Sequence, residues 1–75
     1  MTSQEIREEV SRVIHKVAKV KAHGVRIKVP FPTRLIEIDH GGCNWTMMGA
    51  FENAQGYENT IKAAVEQVKR RWNLI

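Results

Sequence analysis

The residues VRIKVPFPTRLIEIDHGGCNWTMM, 25–48, decide how the whole chain is read. Three runs within them, 25–29, 34–39 and 43–48, alternate apolar and polar residues with the period of two that sends successive side chains to opposite faces of a strand. Pro30-Phe31-Pro32-Thr33 and His40-Gly41-Gly42 separate the runs and carry turn chemistry. Taking the first as a four-residue loop pairs Val29 with Arg34, Ile27 with Ile36 and Val25 with Ile38, and sets Arg26 opposite Glu37. Taking Gly41-Gly42 as a two-residue turn pairs Ile38 with Trp45, Ile36 with Met47 and His40 with Cys43. Both registers gather Val25, Ile27, Val29, Ile36, Ile38, Cys43, Trp45 and Met47 on one face.

Helical periodicity flanks this stretch on both sides. Thr2 and Glu5 have the capping-box spacing, and Ile6, Val10, Val13, Ile14, Val17 and Val20 follow at steps of three and four until Gly24 supplies a residue suited to a left-handed cap. Acids sit early in this helix and lysines late, as the helix dipole favours. At about 1.5 Å per residue it is longer than a short strand, which predicts an overhang at the 16–23 end. After a loop at 52–56, Tyr57, Ile61, Ala64, Val65, Val68, Trp72 and Ile75 form a second stripe. The expected fold class is α+β, in the order α-β-β-β-α: a three-stranded antiparallel sheet with two helices packed on one face, forming one small domain over residues 1–75.

At 75 residues such a domain buries only about 60 % of its unfolded surface, and its core supplies about 3–5 kcal/mol of net stability, so a partner chain would help it. The single cysteine excludes an internal disulfide, and no leader pattern or membrane-length apolar run occurs; the expectation is a cytoplasmic protein without a membrane partner. The net charge of +4 and pI near 9.6 raise the question of a polyanion partner. The excess is thinly spread, since residues 1–24 carry five bases against three acids, 25–40 three against two and 41–75 four against three.

Catalytic and metal patterns are not evident. Cys43 beside His40 lacks an orienting group and an oxyanion site, and reads as a core cysteine. His15, His23, His40 and Cys43 have no zinc-site spacing, and the glycine pair does not open a helix as a phosphate-binding loop does. The expectation is a protein that is not an enzyme and uses no cofactor or metal.

The order α-β-β-β-α resembles that of double-stranded RNA-binding domains over essentially the whole length. In that family helix 1, the loop between the first two strands and lysines at the start of helix 2 approach the RNA. Here the loop is Pro30-Phe31-Pro32-Thr33 without the family's Gly-Pro-x-His, and Tyr57-Glu58-Asn59-Thr60-Ile61-Lys62 offers only Lys62 as a matching cation. The resemblance is one of topology and does not carry RNA binding over.

Two functional expectations follow. The first is an interaction or self-associating module, a homodimer or a complex with another protein, whose interface includes Leu35, Met48, Trp72, Leu74 and Ile75. The second is an accessory module that meets the phosphate backbone of nucleic acid through Lys16, Lys19, Lys21, Arg26, Lys28, Lys69, Arg70 and Arg71. Local matching of bases by acids, and the lack of a stacking platform, favour the first.

Overall fold

Thr2 closes the capping box its spacing implied: its hydroxyl accepts the Glu5 N–H at 3.2 Å and the Glu5 carboxylate accepts the Thr2 N–H at 2.9 Å. From there the computed structural model, which describes residues 1–38 and 42–74, runs α1 (Ser3–Lys16), α2 (Ala18–His23), β1 (Thr33–Arg34), β2 (Trp45–Thr46) and α3 (Glu58–Arg71). It is a small α+β arrangement of three helices and a two-stranded antiparallel sheet. Ile6, Val10, Ile14, Val20, Ile61, Ala64, Val65 and Val68, all on the helical stripes, are buried in one apolar cluster. α3 returns along the first two helices, with Tyr57 beside Lys19 and His23 and Asn73 beside Met1.

The first helix does not run unbroken to an overhang. Val17, at φ −63° and ψ 129°, is extended, ending α1 and starting α2. A β-branched residue loses little by leaving the helix, and the break keeps Val20 in the core instead of carrying the 16–23 segment past it. Gly24 closes α2 in the left-handed conformation at φ 63°, as its position implied.

The three-stranded sheet is corrected in two places. Residues 25–29 do not pair with 34–38; Lys28 instead forms an isolated antiparallel bridge with Glu52, with N–H to carbonyl distances of 3.0 and 3.1 Å, and their side chains form an ion pair at 3.4 Å. Arg26 is not held by Glu37; its carbonyl accepts the Asn53 side-chain N–H at 3.1 Å. The cause is the Pro30-Phe31-Pro32 run, because proline fixes φ and extends the residue before it, and two in three positions carry the chain onward rather than back. Gly49 then meets Pro30 so closely that a Cβ there would lie 2.8 Å from the proline Cβ.

The second hairpin forms in another register. Thr33 pairs with Thr46 and Arg34 with Trp45, so the partner of Trp45 lies four residues from the expected Ile38. Residues 35–44 therefore connect the strands in place of a two-residue glycine turn; Asp39, His40 and Gly41 are outside the described residues, as is Ile75. An even shift keeps alternation intact, so Cys43 and Trp45 remain buried while Val25 and Met47 are half-buried. Ile36 and Ile38 fall beyond the ladder and are exposed, against their expected place in the core. With two strands of two residues, the α-β-β-β-α order and the double-stranded RNA-binding topology are not formed among the described residues.

Candidate functional site

The hairpin is held from outside itself. Asn44 grips the backbone of Leu74 from both sides, its Oδ1 accepting the Leu74 N–H and its Nδ2 donating to the Leu74 carbonyl, each at 2.7 Å. Trp45, wholly buried, donates its indole N–H to the Trp72 carbonyl at 2.8 Å. Asn73 donates to the Gly42 carbonyl at 3.2 Å. These ties fix β2 against the segment after α3, and the first residue of the connecting loop is fixed by its N–H to the Asn44 carbonyl at 2.8 Å.

Beyond that bond the loop turns apolar side chains outward. Leu35 is half-buried, Ile36 is completely exposed at 103 % and Ile38 is 66 % exposed. Near the other end of the hairpin Met48 is 74 % exposed, and Phe31 is exposed beneath the Arg7 guanidinium, 4.6 Å from its ring centre. Of the C-terminal residues expected at an interface, Leu74 packs against the core, while Trp72 is 42 % exposed and lies off the α3 stripe it was expected to complete. The α3 helix ends at Arg71, so Trp72 is already extended backbone.

A groove of about 510 Å³ opens on the other side of β2. Ile61 and Val65 of α3 line it with Met47, Phe51 and Ala54, the polar Thr46 and Gln55 join them, and Glu58 and Lys62 stand one helical turn apart on its lining. Backbone N–H bonds from Glu58 itself and from Gly56 hold the Glu58 carboxyl below its ordinary 4.5.

The cations do not converge on one site. Lys16 joins Arg12 and Arg71 around a depression of about 330 Å³ between α1 and α3, whereas Lys21 and Arg26 line another, of about 590 Å³, at the end of α2. Glu9 forms an ion pair with Arg12, and this bond, followed by the charges of Arg12, Arg71 and Lys16, holds its carboxyl below the usual value. Lys28 is matched by Glu52. Lys19 lies over the Tyr57 ring at 5.2 Å, Lys69 is half-buried and Arg70 is exposed.

Both described histidines are engaged in the fold. His15 Nε2 accepts the Ile27 N–H at 3.1 Å, so the ring proton sits on Nδ1, which donates to the Ser11 carbonyl at 2.7 Å. His23 Nδ1 and the Tyr57 hydroxyl share a hydrogen bond at 2.5 Å that joins α2 to the start of α3. Cys43 is buried with its thiol directed at the Trp45 carbonyl, 3.3 Å away. Among the described residues, no group of three His, Cys, Asp or Glu side chains is placed to hold a metal ion, and no helix is long and apolar enough to cross a membrane.

Ile36, Ile38 and Trp72 are residues that pattern reading assigned to the wrong environment; for the two isoleucines the cause lies upstream. The proline pair was the signal that could have released them from the sheet, since it argues against a tight hairpin before β1. No protein-family model, no curated protein and no solved structure matches this chain.

Proposed function

We propose that this chain is a small non-catalytic module that self-associates through its hairpin loop, in the reducing cytoplasmic setting that a single buried cysteine fits. The observation that carries the reading is the complete exposure of Ile36, continued by Ile38 and the half-buried Leu35. Scattered surface apolar residues are ordinary, but neighbouring large ones on a loop whose strands are tied from outside form a presented surface. In a core this small, covering that surface also adds stability.

Sedimentation equilibrium tests it. The protein is expected to dimerise reversibly with rising concentration, and Leu35→Asp, Ile38→Asp or Met48→Asp to weaken the dimer while far-UV circular dichroism is unchanged. A monomer at every concentration refutes self-association.

A second reading, contact with the phosphate backbone of nucleic acid, rests on the meeting of Arg12, Lys16 and Arg71 in one depression. It requires binding that falls steeply with salt and is reduced by Lys16→Ala and Arg71→Ala. The pairing of Arg12 with Glu9 and of Lys28 with Glu52 ranks it second.

A further inference from the structure

Charge separates the surface hollows into two kinds. In the groove beside β2, Glu58 answers Lys62. The hollow of about 480 Å³ between α1 and residues 27–29 sets Glu8 among its cations, with Arg12 paired to Glu9 and Lys28 to Glu52. In the depression between α1 and α3 the cations again have a carboxylate, since Arg12, Arg71 and Lys16 all act on Glu9. The hollow at the end of α2 differs. Lys21 and Arg26 stand on a lining that holds no carboxylate, and among the described residues neither side chain forms an ion pair.

Much of the remaining lining is apolar. Val20 and Ile27 belong to the core and Val25 is half-buried. The backbone there is fastened by the fold itself: the Gly24 N–H donates to the Lys21 carbonyl at 3.2 Å, the Arg26 carbonyl accepts the Asn53 side-chain N–H at 3.1 Å, and the Ile27 N–H donates to His15 Nε2 at 3.1 Å. Ordering these segments is therefore not a cost that a ligand has to meet. His15 also lines the hollow, but both its ring nitrogens are engaged within the protein, which leaves Lys21 and Arg26 to select what enters. At about 590 Å³ the hollow has the size of a small-molecule site, about 300–1,000 Å³.

From this juxtaposition we infer that the hollow at the end of α2 binds a small amphiphilic anion, a carboxylate or phosphate head on an apolar body. The head lies between the Lys21 ammonium and the Arg26 guanidinium, whose planar fork can hold two oxygens at once. The body covers Val20, Val25 and Ile27. A purely ionic ligand would leave that apolar surface wet, and a neutral apolar one would leave two cations unanswered. No residue of the hairpin loop lines the hollow, so the inference stands apart from self-association.

The experiment is a titration of the full chain with octyl phosphate, octanoate, inorganic phosphate and octanol, followed by backbone amide shifts. Octyl phosphate and octanoate are expected to bind and to move the amides of Val20, Lys21, Val25, Arg26 and Ile27. Inorganic phosphate and octanol should each bind about tenfold more weakly than octyl phosphate, one lacking the apolar contact and the other the charge. Lys21→Glu and Arg26→Glu, both at exposed positions, should each raise the octyl phosphate dissociation constant about tenfold, and Lys62→Glu should leave it within about twofold. Amide spectra of the unliganded variants verify that each keeps the fold. Absence of these shifts at millimolar octyl phosphate and octanoate overturns the site. Octanol binding as tightly as octyl phosphate, or charge reversals without effect, overturns the role of Lys21 and Arg26. Inorganic phosphate binding as tightly overturns the apolar body.

Discussion

α3 and the hairpin carry apolar patterns of similar clarity, yet one became the element its pattern describes and the other was reduced to two short strands in a shifted register. The difference lies in where each finds its hydrogen-bond partners. A helix bonds within itself, four residues back, so a stripe at steps of three and four defines both the element and its buried face. A strand bonds to a partner whose alignment its own alternation does not state: shifts of two or four residues leave every side chain on the same face. Here alignment is set by Asn44 on Leu74 and Trp45 on Trp72, contacts between residues 30 and 27 positions apart.

The sharpest way to break this comparison is to remove the hairpin's buried anchor. Trp45→Ala is expected to cost about 3–5 kcal/mol, as much as a domain of this size possesses, and to leave the protein largely unfolded by circular dichroism. Ile36→Ala, nine residues away in the same hairpin, should shift the urea midpoint by no more than about 0.5 kcal/mol equivalent when measured at concentrations where the chain is monomeric. Equal losses at the two positions would mean that the loop is packed and that the assignment of its exposed face is mistaken.

Much of the fold was therefore legible in the residues, though unevenly. The Thr2–Glu5 box, the Gly24 cap, the buried stripes and the core places of Trp45 and Cys43 follow from spacing alone, because each depends on neighbours within a turn or on face parity. The register was not legible, because it depends on residues 72–74. Nor were the exposed isoleucines, because parity alone assigns them inward. Leu35 and Met48 carry the interface expectation in the sequence, and the surface the structure presents centres on Ile36, next to Leu35. The groove was hidden for a different reason: its lining is drawn from α3 and from residues 46–55, and no local pattern joins them.

A middle-sized effect is expected at the junction of the two regions. His15 belongs to α1 but satisfies the backbone of Ile27, a buried residue. His15→Leu leaves that N–H without its acceptor, at a cost of about 1–3 kcal/mol, while His15→Gln, able to accept the same bond, should recover part of it. Amide hydrogen exchange at Ile27 distinguishes the two: fast in the leucine variant, slowed in the glutamine variant. If both exchange alike, the imidazole is not what holds residues 25–29.

The smallest expected effect is that of acid. The Glu5 carboxyl is held below its ordinary 4.5 by the Thr2 N–H and then the Thr2 hydroxyl, Glu9 chiefly by Arg12, and Glu58 by backbone N–H groups. A carboxyl with a depressed folded value contributes its stability above the unfolded value and loses it as pH falls through the lower, folded one. The starts of α1 and α3 should therefore weaken below about pH 4.5, but only slightly, since Glu5 and Glu58 are exposed and Glu9 is half-buried in a single ion pair. The hairpin's ties to residues 72–74 are amide and indole bonds that do not titrate. Residue-resolved exchange on descending through that range should show the starts of α1 and α3 opening before Trp45 does.

The contrast between the two indoles gives the molecule a built-in optical gauge. Trp45 sits wholly in the interior and Trp72 is half in water, so their emission is expected at shorter and longer wavelengths respectively, and the bond between Trp45 and the Trp72 carbonyl couples the fates of the two rings. A Trp72→Phe chain keeps that carbonyl and leaves one indole, Trp45, in β2 of the hairpin. Its colour would then register detachment of β2 directly, without a label.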